Sequence, residues 1–166
     1  MTRQVQTVAL MPTELEVQRA TKSASVPNDD QFQLWVDAAL AGKSIQFALS
    51  IRIVDEPEAQ RFNRDYRNKD YATNVLSFPV ELPEGLPEEI RQCQLGDLLI
   101  CAAVVAREAK EQRRPEINHW AHLTIHGILH LLGYDHEKAG EAGVMESLET
   151  EILAKLSISD PYVDLS

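Results

Sequence analysis

The sequence has little positive charge and no long apolar run, and each shortage excludes a class of protein. Sixteen lysines and arginines against 26 aspartates and glutamates give the 166-residue chain a net charge of −10. Such a chain has no general basic coat for nucleic acid, so any nucleic-acid partner requires a local basic patch or a bound cation. The longest apolar run, residues 98–106, is far shorter than the roughly 20 residues of a membrane span. No sustained apolar segment precedes Pro12, so we expect no secretory signal.

Cysteine is also scarce. The two cysteines, Cys93 and Cys101, have a spacing that matches no zinc-knuckle or CxxC pattern. We therefore expect buried free thiols in a reducing compartment, which favours a cytoplasmic location. Apolar residues (44%) and charged residues (25%) occur at ordinary globular frequencies. We expect a poorly legible segment over residues 1–27 and a single domain over residues 28–166.

Hydrophobic periodicity predicts strands that alternate with helices. A weak alternation at Leu15 and Val17 could form a first strand. The remaining predicted elements are a helix from Asn28 to Gly42, a strand over 45–53, a polar helix from Pro57, strands over 73–79 and 95–101, a helix continuing to Arg114, a helix from Pro115 to Gly133 and a last helix over 139–156. This order predicts an α/β fold of the α+β type, in which helices cover a small mixed four-stranded sheet.

The most informative feature is that all five histidines lie between positions 119 and 136. His126 and His130 are one helical turn apart, so they project from the same helix face and can grip one metal ion. Gly133 allows the backbone to turn in a left-handed conformation, which can bring His136 to the same ion. Three imidazole ligands favour zinc.

Such a site can be catalytic or structural. Three neutral imidazoles leave the fourth zinc position open, and zinc in this setting lowers the pKa of a bound water to about 7. The alternative is a zinc ion that only ties the last turn to the helix. Metzincin proteases share the histidine spacing but carry a glutamate after the first histidine, where this chain has Gly127. Proteolysis is therefore the weaker hypothesis.

Several segments of the chain resemble the motifs of a known family. Residues 126–136, HGILHLLGYDH, resemble the signature of the YbeY family, bacterial single-strand endoribonucleases that act in ribosomal RNA maturation. Residues 66–70 with 73–79, residues 95–98 and residues 160–162 carry the same resemblance, which covers roughly residues 28–163. Residues 1–27 match nothing that we can name.

The resemblance implies a compact α/β fold with one zinc ion per chain, held by His126, His130 and His136. It implies that Arg67 is important for RNA cleavage and that His126 belongs to the catalytic centre. It also implies action in the cytoplasm on single-stranded and ribosomal RNA, in 16S rRNA 3′-end maturation and ribosome quality control, with ribosomes or ribosomal proteins as partners and no membrane. A non-catalytic ribosome-assembly factor with a structural zinc is the alternative function.

The other polar candidates remain open. His122 could support the metal site from behind or contact RNA, although a structural histidine is favoured, and more strongly so for His119. Asp135 either orients a ligand or satisfies backbone amides in its turn. Two basic runs are either solvated helix faces or phosphate contacts. Their members are Arg61, Arg64, Arg67 and Lys69 in the first run and Arg107, Lys110, Arg113 and Arg114 in the second.

Overall fold

The computed structural model describes residues 13–43, 46–88, 93–134 and 140–163. Strands and helices alternate along these ranges, as the periodicity predicts. The elements are β1 (Glu14–Ala20), α1 (Asp29–Ala39), β2 (Ala48–Val54), α2 (Glu56–Arg67), β3 (Val75–Pro79), β4 (Gln94–Cys101), α3 (Ala102–Glu111), α4 (Glu116–Leu131) and α5 (Glu141–Lys155).

The strands form one four-stranded sheet in the order β1-β2-β4-β3. β1, β2 and β4 are parallel, whereas β3 pairs antiparallel with β4. Parallel neighbours require crossover connections, and α1 provides the one between β1 and β2. The prediction of a small mixed sheet covered by helices is confirmed, including the first strand at Leu15 and Val17.

The start of α1 shows how local sequence sets an element. The side chain of Asn28 accepts a hydrogen bond from the backbone N–H of Gln31, and the side chain of Gln31 accepts one from the backbone N–H of Asn28, both at 2.9 Å. This capping box satisfies two backbone donors at the helix start. Phe32 and Val36 then follow at helical spacing and are fully buried.

Several element boundaries differ from the sequence prediction, among them the start of β3 at Val75 rather than at residue 73 and the end of α1 at Ala39 rather than at Gly42. β2 begins at Ala48 rather than at residue 45, which lies outside the described residues. The helix predicted to reach Arg114 ends at Glu111, because Arg113 adopts a positive φ of 55° that breaks the helix. The last helix begins at Glu141, and residue 139 lies outside the described residues.

The sheet separates two apolar clusters. The larger one packs α1, α4 and α5 against β2 and β4, with Trp120, Ile125 and Ile128 of α4 at its centre. The smaller one packs α2 and part of α3 against the sheet through residues such as Ala59 and Leu76. α4 is therefore a buried helix, and only part of one face remains available for polar chemistry.

The prediction of a buried free thiol is confirmed for Cys101, which lies at the end of β4, where burial raises its pKa. The prediction of burial is wrong for Cys93, which is only half-buried. Within the described residues, no helix is long and apolar enough to cross a membrane.

α4 approaches the sheet most closely at Gly127. A Cβ atom at this position would lie 2.7 Å from a methyl group of Leu98 and 3.3 Å from a methyl group of Val75. The hydroxyl of Ser77 in β3 donates a hydrogen bond to the carbonyl of Gly127 at 3.1 Å. Glycine thus allows helix and sheet to come into direct contact, and any side chain at position 127 would face the sheet.

The segment after α5 is held by Arg114, which lies between α3 and α4. Its guanidinium donates hydrogen bonds to the carbonyls of Asp160 at 3.3 Å and Val163 at 3.1 Å, and also to that of Pro161. From the sequence, Arg114 was either part of a solvated face or a phosphate contact. The structure instead gives its guanidinium three backbone partners, so its role is to hold the C-terminal segment.

We predict that Gly127→Ala lowers the free energy of unfolding by about 1–3 kcal/mol, because the added methyl group overpacks a closed contact. Gly143→Ala is the matched control, since Gly143 also lies in a helix but has open space around its Cβ position. It should leave stability unchanged or raise it by up to ~1 kcal/mol. Urea unfolding measures both changes, and equal effects of the two variants would contradict the prediction.

We also predict that Arg114→Ala lowers the free energy of unfolding by about 1.5–3 kcal/mol, because three backbone carbonyls lose a charged donor. Backbone hydrogen exchange should become faster at residues 162–163. Lys110→Ala, at an exposed position of α3, is the control and should change neither quantity. Unchanged exchange in Arg114→Ala would show that this arginine does not hold the segment.

Candidate functional site

The histidines of α4 form a row along its accessible face. His122, His126 and His130 follow one another at one-turn spacing and are each partly exposed. The ring centroids lie 6.1 Å apart for His122 and His126 and 4.7 Å apart for His126 and His130. The structure thus brings His126 and His130 together as their spacing predicts. His136 and Asp135, the other residues predicted for this site, lie outside the described residues.

A buried carboxylate lies behind this row. Glu149 of α5 is 0% exposed, and its Oε1 accepts a hydrogen bond from Nδ1 of His126. Its Oε2 accepts a hydrogen bond from the hydroxyl of Tyr162. His122 contributes a third neighbour, with Nε2 3.6 Å from Oε1. Because Nδ1 of His126 points to Glu149, Nε2 is the ring nitrogen on the side of the imidazole away from this carboxylate.

The surroundings keep Glu149 ionised. Burial alone raises the pKa of this carboxyl, but hydrogen bonds with His122, His126 and Tyr162 outweigh burial and lower the pKa to about 2. Burial and the adjacent carboxylate raise the pKa of the Tyr162 hydroxyl. At neutral pH an ionised carboxylate thus accepts a hydrogen bond from the Tyr162 hydroxyl and fixes the tautomer of His126. Such carboxylate–histidine pairs are typical behind metal-binding histidines.

Among the described residues, one group of side chains could hold a metal ion by itself. Donor atoms of His122, His126 and Glu149 all lie within 4.8 Å of one another. This set shares His126 with the predicted set of His126, His130 and His136. Both oxygens of Glu149 already accept hydrogen bonds, so binding a metal there would displace protein donors.

Two cavities meet at His126. The first has a volume of about 600 Å³ and is named here the Arg67 cavity. Asn74 and His126 line both cavities. The second, about 460 Å³, is named the Tyr162 cavity. The residues that line only the Arg67 cavity include Tyr66, Arg67, Ser77, His130 and Tyr134. The residues that line the Tyr162 cavity but not the Arg67 cavity include Glu108, Arg114, His119, His122 and Tyr162.

Arg67 reaches its cavity because α2 ends there. Asn68 follows with a left-handed φ of 58°, which terminates the helix and leaves Arg67 in its last turn with an exposed side chain. The structure therefore places the predicted arginine in the same cavity as His126 and His130 of α4. Their common cavity depends on the fold, since α2 and α4 are distant in sequence.

His119 has the surroundings of a structural histidine, which is the role that the sequence analysis favours. It is 3% exposed, and its Nε2 lies 2.9 Å from Oε1 of Glu108. Burial raises the pKa of Glu108, but the hydrogen bonds with His119 and Asn74 lower it by more, so the pKa of Glu108 lies below its ordinary value. The Asn74 amide donates to Glu108 at 3.0 Å, which joins the loop before β3 to α3.

Glu149 and Tyr162 were missed as site residues by the sequence analysis. Glu149 carries a weak signal, because it stands with Met145 and Ile152 on the apolar stripe of α5, where a carboxylate requires a buried partner. Tyr162 carries no such signal. Its hydroxyl reaches the site only because the segment after α5 folds back over α4.

The chain matches a family model described as Endoribonuclease YbeY over residues 16–157. A protein of that name from Alkalilimnicola ehrlichii is 57% identical over 152 residues, which cover 90% of each chain. Another from Stenotrophomonas maltophilia is 56% identical over 149 residues, which cover 90% of this chain and 92% of the relative.

A solved structure supports the fold. The solution structure of a Thermotoga maritima protein matches with a TM-score of 0.53 at 22% identity and covers 85% of this chain and 91% of that chain. At this identity the similarity concerns the fold alone. The family model and the close relatives together confirm the resemblance seen in the sequence: this chain belongs to the endoribonuclease YbeY family.

Proposed function

We propose that this protein is a zinc-dependent endoribonuclease that cleaves single-stranded RNA in the Arg67 cavity. The observation that carries the proposal is the convergence of Arg67, His126 and His130 on one cavity. Relatives that are 56–57% identical bear the name Endoribonuclease YbeY, which supports RNA as the substrate.

We assign the metal to His126, His130 and His136. The 4.7 Å separation of the His126 and His130 rings suits a shared ion, and since Nδ1 of His126 faces Glu149 we assign the metal to Nε2. A zinc ion held there would supply Lewis-acid stabilisation of a phosphodiester and an activated water for its hydrolysis. The buried carboxylate orients His126 and raises its basicity as a ligand.

Arg67 is the residue that we assign to phosphate binding. Arg67 is an exposed residue that lines the cavity, and a guanidinium can donate two parallel hydrogen bonds to one phosphate group. Bound in this way, the scissile phosphate is held beside the histidines, and the guanidinium offsets the negative charge that develops during hydrolysis. The same contact draws an anionic strand to one place on a chain that carries a net charge of −10.

The alternative of a non-catalytic assembly factor has one observation in its favour. The set of His122, His126 and Glu149 includes a fully buried carboxylate, and a metal held by this set would tie α4 to α5. A protease is disfavoured because position 127, where metzincins carry their glutamate, faces Leu98 and Val75 in the sheet.

The biological setting is part of the proposal. We propose ribosomal RNA as the substrate, in 16S rRNA 3′-end maturation and ribosome quality control in the cytoplasm, as the sequence resemblance implies. Residues 137–166 carry seven acidic and two basic residues, a charge that serves solubility and also suits a contact with basic ribosomal proteins. The assignment of the activity to a single domain over residues 28–166 stays a prediction. Co-sedimentation with ribosomes, compared at low and high salt, tests the partner.

Zinc affinity distinguishes the two metal sets. We predict that His130→Ala lowers zinc affinity severely, because two imidazoles hold the ion much less firmly than three, and that His122→Ala changes it little. Glu149→Gln should weaken zinc binding by about 10–100-fold, since the orienting carboxylate is lost. Competition with a chromophoric chelator measures all three affinities. Loss of zinc in His122→Ala, with normal affinity in His130→Ala, would instead support the structural set.

Cleavage of single-stranded RNA tests the catalytic role of Arg67. We predict that Arg67→Glu abolishes cleavage while zinc content and thermal stability stay unchanged, because the exposed side chain leaves no cavity when it is replaced. Arg67→Lys should also be poor, since an ammonium group cannot form the two-pronged contact.

The controls are His126→Ala, expected to be inactive, and Arg113→Glu, expected to weaken RNA binding only modestly and in a salt-dependent way. All proteins must be highly purified, so that a contaminating nuclease does not supply the signal. Wild-type cleavage by Arg67→Glu would remove Arg67 from the active site. Loss of zinc or unfolding of that variant would make Arg67 a structural residue.

A further inference from the structure

An exposed aromatic cluster borders the Arg67 cavity and has no part in the proposed cleavage chemistry. It consists of Phe62 and Tyr66 of α2 and Phe78 of β3, and it is named here the aromatic platform. The Tyr66 and Phe78 ring centroids lie 4.5 Å apart, and those of Phe62 and Phe78 lie 6.0 Å apart. Tyr66 nevertheless remains 56% exposed and Phe62 36% exposed. Phe78 thus supports the two rings from below while much of their surface faces solvent.

The platform is continuous with the site. Tyr66 lines the Arg67 cavity together with Arg67, His126 and His130. Because Tyr66 and Arg67 line the same cavity from the last turn of α2, a ligand held by the guanidinium lies within reach of the tyrosine ring. One nucleotide of the RNA can therefore place its phosphate at Arg67 and its base at Tyr66.

The charge around the platform is opposite to that of the chain as a whole. Residues 61–69 contain four basic residues and one acidic residue, whereas the chain carries a net charge of −10. The guanidinium of Arg61 lies over the Phe62 ring, 5.7 Å from its centroid. Aromatic rings set among positive charges are the combination that single-stranded nucleic-acid sites use, since the rings stack on bases while the charges follow the backbone. A basic surface also disfavours a basic protein partner at this place.

We propose that Tyr66, supported by Phe78, is a base-stacking subsite for single-stranded RNA. An unpaired nucleobase stacks on the exposed tyrosine ring while a neighbouring phosphate binds Arg67. The subsite rests on the proposed function, because it positions the strand in the same cavity. A paired base inside a helix cannot offer its face to the ring, so the subsite selects unpaired RNA. Every base has such a face, so the contact carries little preference for sequence.

RNA binding by the zinc-loaded, full-length protein tests the subsite. The probe is a short fluorescent single-stranded 2′-O-methyl RNA with phosphorothioate linkages, chosen to resist cleavage, and anisotropy gives its dissociation constant. Tyr66→Ala should weaken binding by about tenfold, as expected when one stacked base is lost. Tyr66→Phe should bind within about twofold of the wild type, since the ring is kept. Tyr66→Leu should resemble the alanine variant, because it keeps apolar surface but cannot stack.

Tyr71→Ala is the matched control. Tyr71 is 53% exposed and follows α2 closely, but it does not line the cavity, so its loss should leave binding unchanged. A second series places one abasic residue at each position of the RNA in turn. One position should weaken binding to the wild type by about tenfold and have no effect on Tyr66→Ala, which shows that the missing base and the missing ring are partners.

The outcomes separate this subsite from the proposed function. Wild-type affinity in Tyr66→Ala, full affinity in Tyr66→Leu, or an equal loss in Tyr71→Ala each overturns the stacking subsite, and cleavage of unmodified RNA by the wild type then still supports the nuclease. If the wild type neither binds nor cleaves single-stranded RNA, the proposed function fails and the subsite fails with it. An abasic series without a coupled position also overturns the subsite.

Discussion

The hydrogen bond between the buried carboxylate of Glu149 and Nδ1 of His126 is the constraint on which the site depends. An ionised carboxylate without partners is very costly to bury, so Glu149 can occupy the core only when donors reach both of its oxygens. One donor is on α4 and the other is Tyr162, in the segment after α5. The carboxylate therefore couples the docking of two helices and the C-terminal segment, and Arg114 fixes that segment from its other side.

This arrangement has no advantage for stability over an apolar core. Replacing a buried ionic cluster by packed apolar residues is often neutral or stabilising, and Met145 and Ile152 show that the same stripe of α5 accepts apolar side chains. The charge is better explained by what it does to His126. It fixes the tautomer, directs Nε2 away from the core and makes the imidazole a stronger ligand. The core thus carries a polar group where the proposed chemistry requires one.

The sequence predicted the features that depend on local pattern and missed the contacts between residues that are distant along the chain. Periodicity located the strands and helices, the Asn28 cap marked the start of α1, and the spacing of His126 and His130 placed both on one helix face. By contrast, the contact of Glu149 with His126 joins different helices, and Arg67 meets the histidines only because α2 and α4 border one cavity. The resemblance to a family singled out Arg67, but spacing alone left it among ordinary basic residues.

The uneven distribution of charge determines where RNA can approach the protein. An acidic surface repels RNA, so a strand approaches favourably only where cations are concentrated. Arg67, at the end of α2, provides such a place because it lines the same cavity as His126 and His130, and a zinc ion held by these histidines would add positive charge there. Glu149 lies at its back, but its charge is buried and engaged by protein donors. An acidic chain can therefore act on RNA when its few positive groups converge, because repulsion elsewhere leaves one productive place of approach.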